Sequence, residues 1–212
     1  WRQMRSNGIE EKYITGDASN KEKFITYCAV LGTAFGNPLY HWSQVELKEF
    51  FGCEKEINKD NAEAIWDECN KYIAENSVTP QSLIESSNVK HIFTTNEVFD
   101  DLTTFEKIAE KDYKFRVAPA YRGDKIMNIE ADSYLDYLKK LEELTHSVST
   151  LSDLEDALEI RLKEFIKVGC TASDIAVEQV LPVYDKKDAE KVYKKRYSGK
   201  KITADDADVF KG

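Results

Sequence analysis

Near residue 88 the spacing of apolar residues changes, and this limits the chain to a helical part followed by an alternating one. Before that point apolar side chains recur at helical spacing and no strand pattern occurs. Ser19-Asn20-Lys21-Glu22 is a capping-box sequence, in which the serine hydroxyl and the glutamate carboxylate each satisfy a helix-start amide. It opens a helix with Phe24, Tyr27, Cys28 and Leu31 along one face and Gly32 at its end. Asn37-Pro38 precedes a second helix over 39–51 that stops at Gly52. Asn58 or Asp60 caps a third, with Ala62, Ile65, Trp66, Cys69 and Ile73 in one stripe. Thr79-Pro80 opens a fourth, with threonine as cap and proline at the first helical position.

After residue 88 strands enter. Residues 89–95 are β-branched and aromatic and read as a strand, followed by a helix over 101–110 and a second strand over 113–119. A helix over 131–144 comes next. The capping box Ser152-Asp153-Leu154-Glu155 then opens a long helix to Val168, and residues 169–173 form a short third strand. Alternation of this kind builds a parallel sheet with helices packed outside it. The expected fold is α/β and helix-rich, with residues 1–88 helical and residues 89–212 α/β. Three strands cannot close a barrel, which takes eight. With no initiating methionine and a final segment, 203–212, that reads as a helix just beginning, the chain is expected to be cut from something longer.

Composition removes several classes of function. No run of about 18 apolar residues occurs, so no helical membrane span is expected. Trp1-Arg2-Gln3-Met4-Arg5 lacks the apolar stretch of an export signal, and a cytoplasmic location is expected. A net charge of −9 argues against nucleic-acid binding. The one basic run, 191–196, lies beside Asp185, Asp188 and Glu190 and reads as a solvated amphipathic helix. Cys28, Cys53, Cys69 and Cys170 contain no Cys-x-x-Cys pair and read as reduced thiols.

In parallel α/β folds, binding and reacting groups gather where strands end. Three segments qualify: Thr94-Thr95-Asn96-Glu97, Ala120-Tyr121-Arg122-Gly123-Asp124-Lys125, and Ser173-Asp174. Arg122 leads, because a guanidinium is a planar fork that can grip a carboxylate with two parallel hydrogen bonds. Its alternative is a salt bridge to Asp124 or to a helix carboxylate. Asp174 is open to three roles: metal ligand, general base or helix cap. His41, between Tyr40 and Trp42, reads as a packed, hydrogen-bonded side chain, with site lining as the alternative. His91 reads as a structural strand residue and His146 as a partner of a helix C-terminal dipole. No His-x-His, His-Glu-x-x-His, glycine-rich phosphate loop or Gly-x-Ser-x-Gly elbow is present. The residues alone lead no further than a carboxylate-binding arginine.

A resemblance leads further. Trp1-Arg2-Gln3-Met4-Arg5-Ser6-Asn7-Gly8, Tyr13-Ile14-Thr15-Gly16-Asp17-Ala18-Ser19 and Gly36-Asn37-Pro38-Leu39-Tyr40-His41-Trp42 resemble consecutive segments of the uronate (glucuronate) isomerases, in the amidohydrolase superfamily. Ser87-Asn88-Val89, Thr94-Thr95, Asp100-Asp101-Leu102, Pro119-Ala120-Tyr121-Arg122 and Gly169-Cys170-Thr171-Ala172-Ser173-Asp174 continue in family order over nearly the whole chain. The resemblance implies a distorted (β/α)8 TIM-like barrel with a helical insertion. Residues 1–88 would belong to the insertion and 89–212 to part of the barrel. It implies interconversion of D-glucuronate with D-fructuronate and of D-galacturonate with D-tagaturonate. In that reaction a divalent metal, often zinc, polarises substrate oxygens. The family's substrate-contacting arginine matches Arg122, with Asp174 and His41 as candidate site-lining residues. The family's His-x-His pair and last-strand aspartate fall outside this chain. It is therefore expected to hold no principal metal ligand and to be inactive alone; self-association is a further expectation.

The chain also departs from the family pattern. Members commonly read Thr-Thr-Asp-Asp-Pro where it has Thr94-Thr95-Asn96-Glu97-Val98, and carry histidine where it has Gln44, Phe105 and Ile175. These departures leave a second expectation open, a non-catalytic relative whose barrel-derived module binds sugar acids or a protein.

Overall fold

The computed structural model describes residues 1–176 and 180–212. They divide into two units, Trp1–Ser87 and Asn88–Gly212.

The first unit is helical: α1 (Arg2–Ser6), α2 (Asn20–Leu31), α3 (Pro38–Phe51), α4 (Ala62–Glu75) and α5 (Pro80–Ser86). Short side chains set most of the starts. The Ser19 hydroxyl accepts the Glu22 amide and the Glu22 carboxylate accepts the Ser19 amide. Asn37 accepts the Leu39 amide beside Pro38, and Thr79 and Ser82 exchange hydrogen bonds ahead of α5. At α4 the expectation needs correcting. Asn61 directly precedes the helix, and the Asn58 side chain accepts the Asn61 amide at 2.9 Å, ordering the approach and not the first turn. Gly52 ends α3 at φ +64°, a left-handed conformation that a Cβ disfavours.

Helices α2, α3 and α4 close over Cys28, Leu31, Leu47, Ala62, Ile65 and Cys69, joined by Cys53 and Ile57 from the α3–α4 connection. That connection is pinned to α3 by Gln44, whose amide donates to the Lys55 carbonyl (2.9 Å) and accepts the Ile57 N–H (3.0 Å). Burial pushes the Cys28 thiol up to about 12 and the Cys69 thiol up to about 11. All four cysteines are free and buried.

The second unit runs β1 (His91–Glu97), α6 (Thr103–Ala109), β2 (Arg116–Arg122), α7 (Asp124–Met127), α8 (Tyr134–Leu144), α9 (Leu151–Lys167), β3 (Ser173–Asp174), α10 (Lys186–Tyr197) and α11 (Ala204–Lys211). The strands form one parallel sheet in the order β1–β2–β3. Each ends later than its apolar run does, so segments expected as loops lie inside the ladder. The ladder is built by backbone groups, and polar side chains at a strand end do not interrupt it. Pro119 is tolerated because, among the described residues, β3 pairs only with Tyr121 and Arg122 and β2 has a single neighbour at Pro119.

Two helix starts also differ. The helix expected over 131–144 opens at Tyr134, after the separate short α7. The cap of α9 is Thr150, not Ser152: its hydroxyl accepts the Asp153 amide (3.1 Å) and Asp153 accepts the Thr150 amide (2.9 Å). Starting there brings Leu151 against the core. That core gathers Val98, Ile129, Tyr134, Leu138, Leu141, Val148, Leu154 and Ala157, with Val192 and Tyr193 of α10 and Ala207 of α11. The basic run lies on α10. Lys191 and Lys194 pair with Asp188 and Glu190, Lys195 pairs with Asp206, and Arg196 donates to the Ile129 and Ala131 carbonyls. Among the described residues no helix is long and apolar enough to cross a membrane.

Candidate functional site

The parallel register sets the last residues of the strands in one row, with Glu97 opposite Arg122 and Arg122 opposite Asp174. The row alternates acid, cation, acid. Just beyond β2, Gly123 leads into α7, which carries Asp124 and Lys125 back over the row. The Arg122 Nε donates to Asp124 Oδ2, while its nearer Nη lies 3.9 Å from Asp174 Oδ2. Lys125 Nζ stands 2.8 Å from Glu97 Oε1. The other Asp124 oxygen accepts the Ala176 amide at 2.5 Å, so one carboxylate ties the arginine to the chain just after β3.

These contacts set the charges. The Asp124 hydrogen bond is the largest influence on Arg122 and raises its pKa further. Burial would raise the Asp124 carboxyl, but the Ala176 amide and Arg122 outweigh it and bring its pKa below the ordinary value. The guanidinium is thus permanently charged and held along its Nε edge. Among the described residues its Nη groups meet only Asp174, at a loose distance, and Asp174 is exposed. The salt bridge to Asp124 leaves part of the fork open to an incoming carboxylate.

Behind the row lie residues whose roles the sequence reading missed. The Thr94 hydroxyl donates to Asn96 Oδ1 (2.6 Å), and Asp100 Oδ2 accepts the Glu97 amide (3.0 Å) and the Asn96 side-chain amide (3.2 Å). Arg161 of α9 donates to the Val98 and Asp100 carbonyls, and Tyr121 donates to the Leu158 carbonyl at 3.1 Å. Burial pushes the Tyr121 phenol up to about 12, which keeps it a hydrogen-bond donor. Arg161 carried one sequence signal: it falls on the apolar stripe of α9 with Leu154, Ala157 and Phe165, where a charge is out of place.

Of the other candidates, His41 is exposed on α3 of the first unit, so the packed, hydrogen-bonded reading of it is corrected; α3 turns it to solvent. His91 opens β1 beside the Phe93 ring, and His146 approaches the Ser147 carbonyl. Val98 and Phe105 are buried, and Ile175, just past Asp174, is 54% exposed. A groove of about 610 Å³ lies toward the opposite end of the strands, bordered by His91, Arg116 and Lys167, and includes none of the row.

Among the described residues no three His, Cys, Asp or Glu side chains gather closely enough to hold a metal ion. The acids of the row are engaged with Arg122 and Lys125. The described residues therefore do not fit a metal centre by themselves.

The family described as glucuronate isomerase matches residues 1–212. The chain is 44% identical to a uronate isomerase of Lachnospira eligens and 41% identical to one of Caldanaerobacter subterraneus, in both cases over its whole length and 46% of the relative. The crystal structure of a uronate isomerase from Thermotoga maritima superposes with a TM-score of 0.92 at 34% identity, covering 100% of this chain and 47% of that one. A glucuronate isomerase from Caulobacter crescentus shares the fold, with a TM-score of 0.86 at 21% identity over 99% of this chain and 46% of the other. The chain thus spans about half the length of the relatives it matches. With a match that runs from its first residue to its last, the chain belongs to the glucuronate isomerase family.

Proposed function

We propose that this chain is part of a longer cytoplasmic uronate isomerase, and that Arg122 holds the carboxylate of the sugar acid. The observation that carries the reading is the strand-end row, in which Arg122 is fixed along one edge by Asp124 and offers its remaining N–H groups beside the loosely placed Asp174. The relatives named uronate isomerase support the substrate class. In this reading β1, β2 and β3 are an arc of a (β/α)8 barrel, and the first unit is a helical insertion. The remaining strands, and the side chains that bind a divalent metal, come from the rest of the longer protein.

Conversion of an aldose to a ketose moves a proton between the first two carbons of the sugar, whereas a uronate carries its carboxylate at the far end. Arg122 therefore acts by orientation. It spends binding energy at a remote group to hold the reacting carbons in place, and takes no proton itself. Asp124 keeps the fork aimed, and Lys125 neutralises Glu97 so that the row does not repel a second carboxylate.

The test is steady-state turnover of glucuronate and galacturonate by the full-length protein. Arg122→Met is expected to lower kcat/KM by about a hundredfold, and Arg122→Lys to recover part of that as a point charge without the fork. Undiminished kcat/KM in Arg122→Met would overturn the assignment. Ile175, an exposed apolar side chain where the family pattern carries histidine, favours a second reading in which the protein binds uronates without converting them. Saturable uronate binding with no turnover by the metal-loaded protein would establish that reading instead.

A further inference from the structure

We propose that Arg161, on the helix behind the sheet, is a positioning residue that sets the Glu97 end of the strand-end row by gripping the turn after β1. The role rests on the reading of that row as the uronate site.

Arg161 is 7% exposed, among the apolar residues of α9. Burying a guanidinium is costly unless its donors are satisfied, and leucine would fill the same stripe without that cost. Its donors show what the charge accomplishes. The Nε group donates to the Val98 carbonyl at 2.6 Å, one Nη donates to the Asp100 carbonyl at 2.9 Å, and the other pairs with Glu164. The Phe165 ring lies 5.8 Å from its central carbon, within cation–π range. Two of its three partners are thus main-chain oxygens of a single turn, 98–100, between β1 and α6.

The turn passes this constraint to the row. Its Asp100 carboxylate accepts the Glu97 amide and the Asn96 side chain, and Asn96 in turn accepts from Thr94. Helix α9 grips the neighbouring strand as well, three residues earlier, where the Leu158 carbonyl accepts the Tyr121 hydroxyl. Tyr121 directly precedes Arg122, and its ring meets Phe165 edge-on at 5.1 Å. One helix therefore fixes the ends of both β1 and β2, and with them the spacing between Glu97, its partner Lys125, and Arg122.

The experiment uses the full-length protein and compares Arg161→Met and Arg161→Lys with Arg122→Met. Turnover per folded molecule is read together with amide hydrogen exchange over residues 94–102. Arg161→Met is expected to exchange faster in that segment and to lose about tenfold to a hundredfold in kcat/KM, the scale of a small misplacement at a site. Arg161→Lys, which can reach one carbonyl, is expected to restore part of both. Unchanged kcat/KM per folded molecule in Arg161→Met overturns the role, even if its Tm falls. Arg122→Met separates the two ways of failing. If it is crippled while Arg161→Met is not, the positioning role falls and the site stands; if it keeps full turnover, both fall. Should Arg161→Met not fold, Asp100→Ala cuts the same chain of contacts without emptying the core. A loss of similar size supports the role, and an unchanged kcat/KM overturns it.

Discussion

Asp124 meets the Arg122 guanidinium with one oxygen and the Ala176 amide with the other, and its pKa lies below the ordinary carboxylate value. A group whose folded pKa is depressed stabilises the fold above its unfolded pKa, of about 3.9 for aspartate, and loses that contribution as pH falls through the folded value. The Arg122–Asp124 contact should thus persist from neutral pH to about pH 4 and weaken only below it. Asp124→Asn is expected to be less stable than the parent at pH 7, with the gap closing as pH is lowered toward 3, measured by urea unfolding at each pH. The buried thiols run the other way. Unfolded cysteine ionises near 8.5, whereas Cys69 and Cys28 in the fold are held to about 11 and about 12. Their contribution is complete below about pH 8.5 and declines as pH rises through the folded values. All four thiols should resist a thiol reagent at pH 8 in the native protein and react promptly in denaturant.

Helix starts were the most legible part of the sequence, because a cap is a local bargain between neighbours three residues apart. One of the missed starts had two such bargains in competition. At α9, Thr150 with Asp153 and Ser152 with Glu155 have the same spacing, and the first is favoured by contacts from afar, the packing of Leu151 against the core and the Glu190 carboxylate that accepts its amide. Thr150→Ala should therefore cost about 1 kcal/mol and Ser152→Ala close to nothing, compared by thermal melting. Strand ends were less legible for a different reason. Apolar pattern records burial, whereas the register of Glu97, Arg122 and Asp174 is a backbone matter between segments far apart in the chain. Arg122 could be singled out because an arginine near a strand end stands out locally. Asp100 and Arg161 could not be joined to it, since their link spans 61 residues and passes through a carbonyl. Arg161 on an apolar stripe was the one trace of it.

Taken as a whole, the sheet of the second unit has an unfinished side. Among the described residues β1 pairs with β2 alone, and Phe93 on that strand is 43% exposed. A free strand edge with an apolar side chain invites another chain to pair with it. The 212-residue chain made alone should self-associate as its concentration rises, and Phe93→Lys should reduce that tendency, both followed by sedimentation. The full-length protein should not respond to Phe93→Lys in the same way if its own next strand occupies the edge. The hold of α9 on the turn after β1 has a consequence for descent. Arg161 touches that turn only through the oxygens of Val98 and Asp100, which every amino acid possesses, proline included. Position 98 can then carry valine in one lineage and proline in another without loss of that grip, whereas position 100 also contributes its carboxylate to the Glu97 amide and the Asn96 side chain. The constraint falls on the distant Arg161 that does the holding and on the Asp100 carboxylate that passes it on.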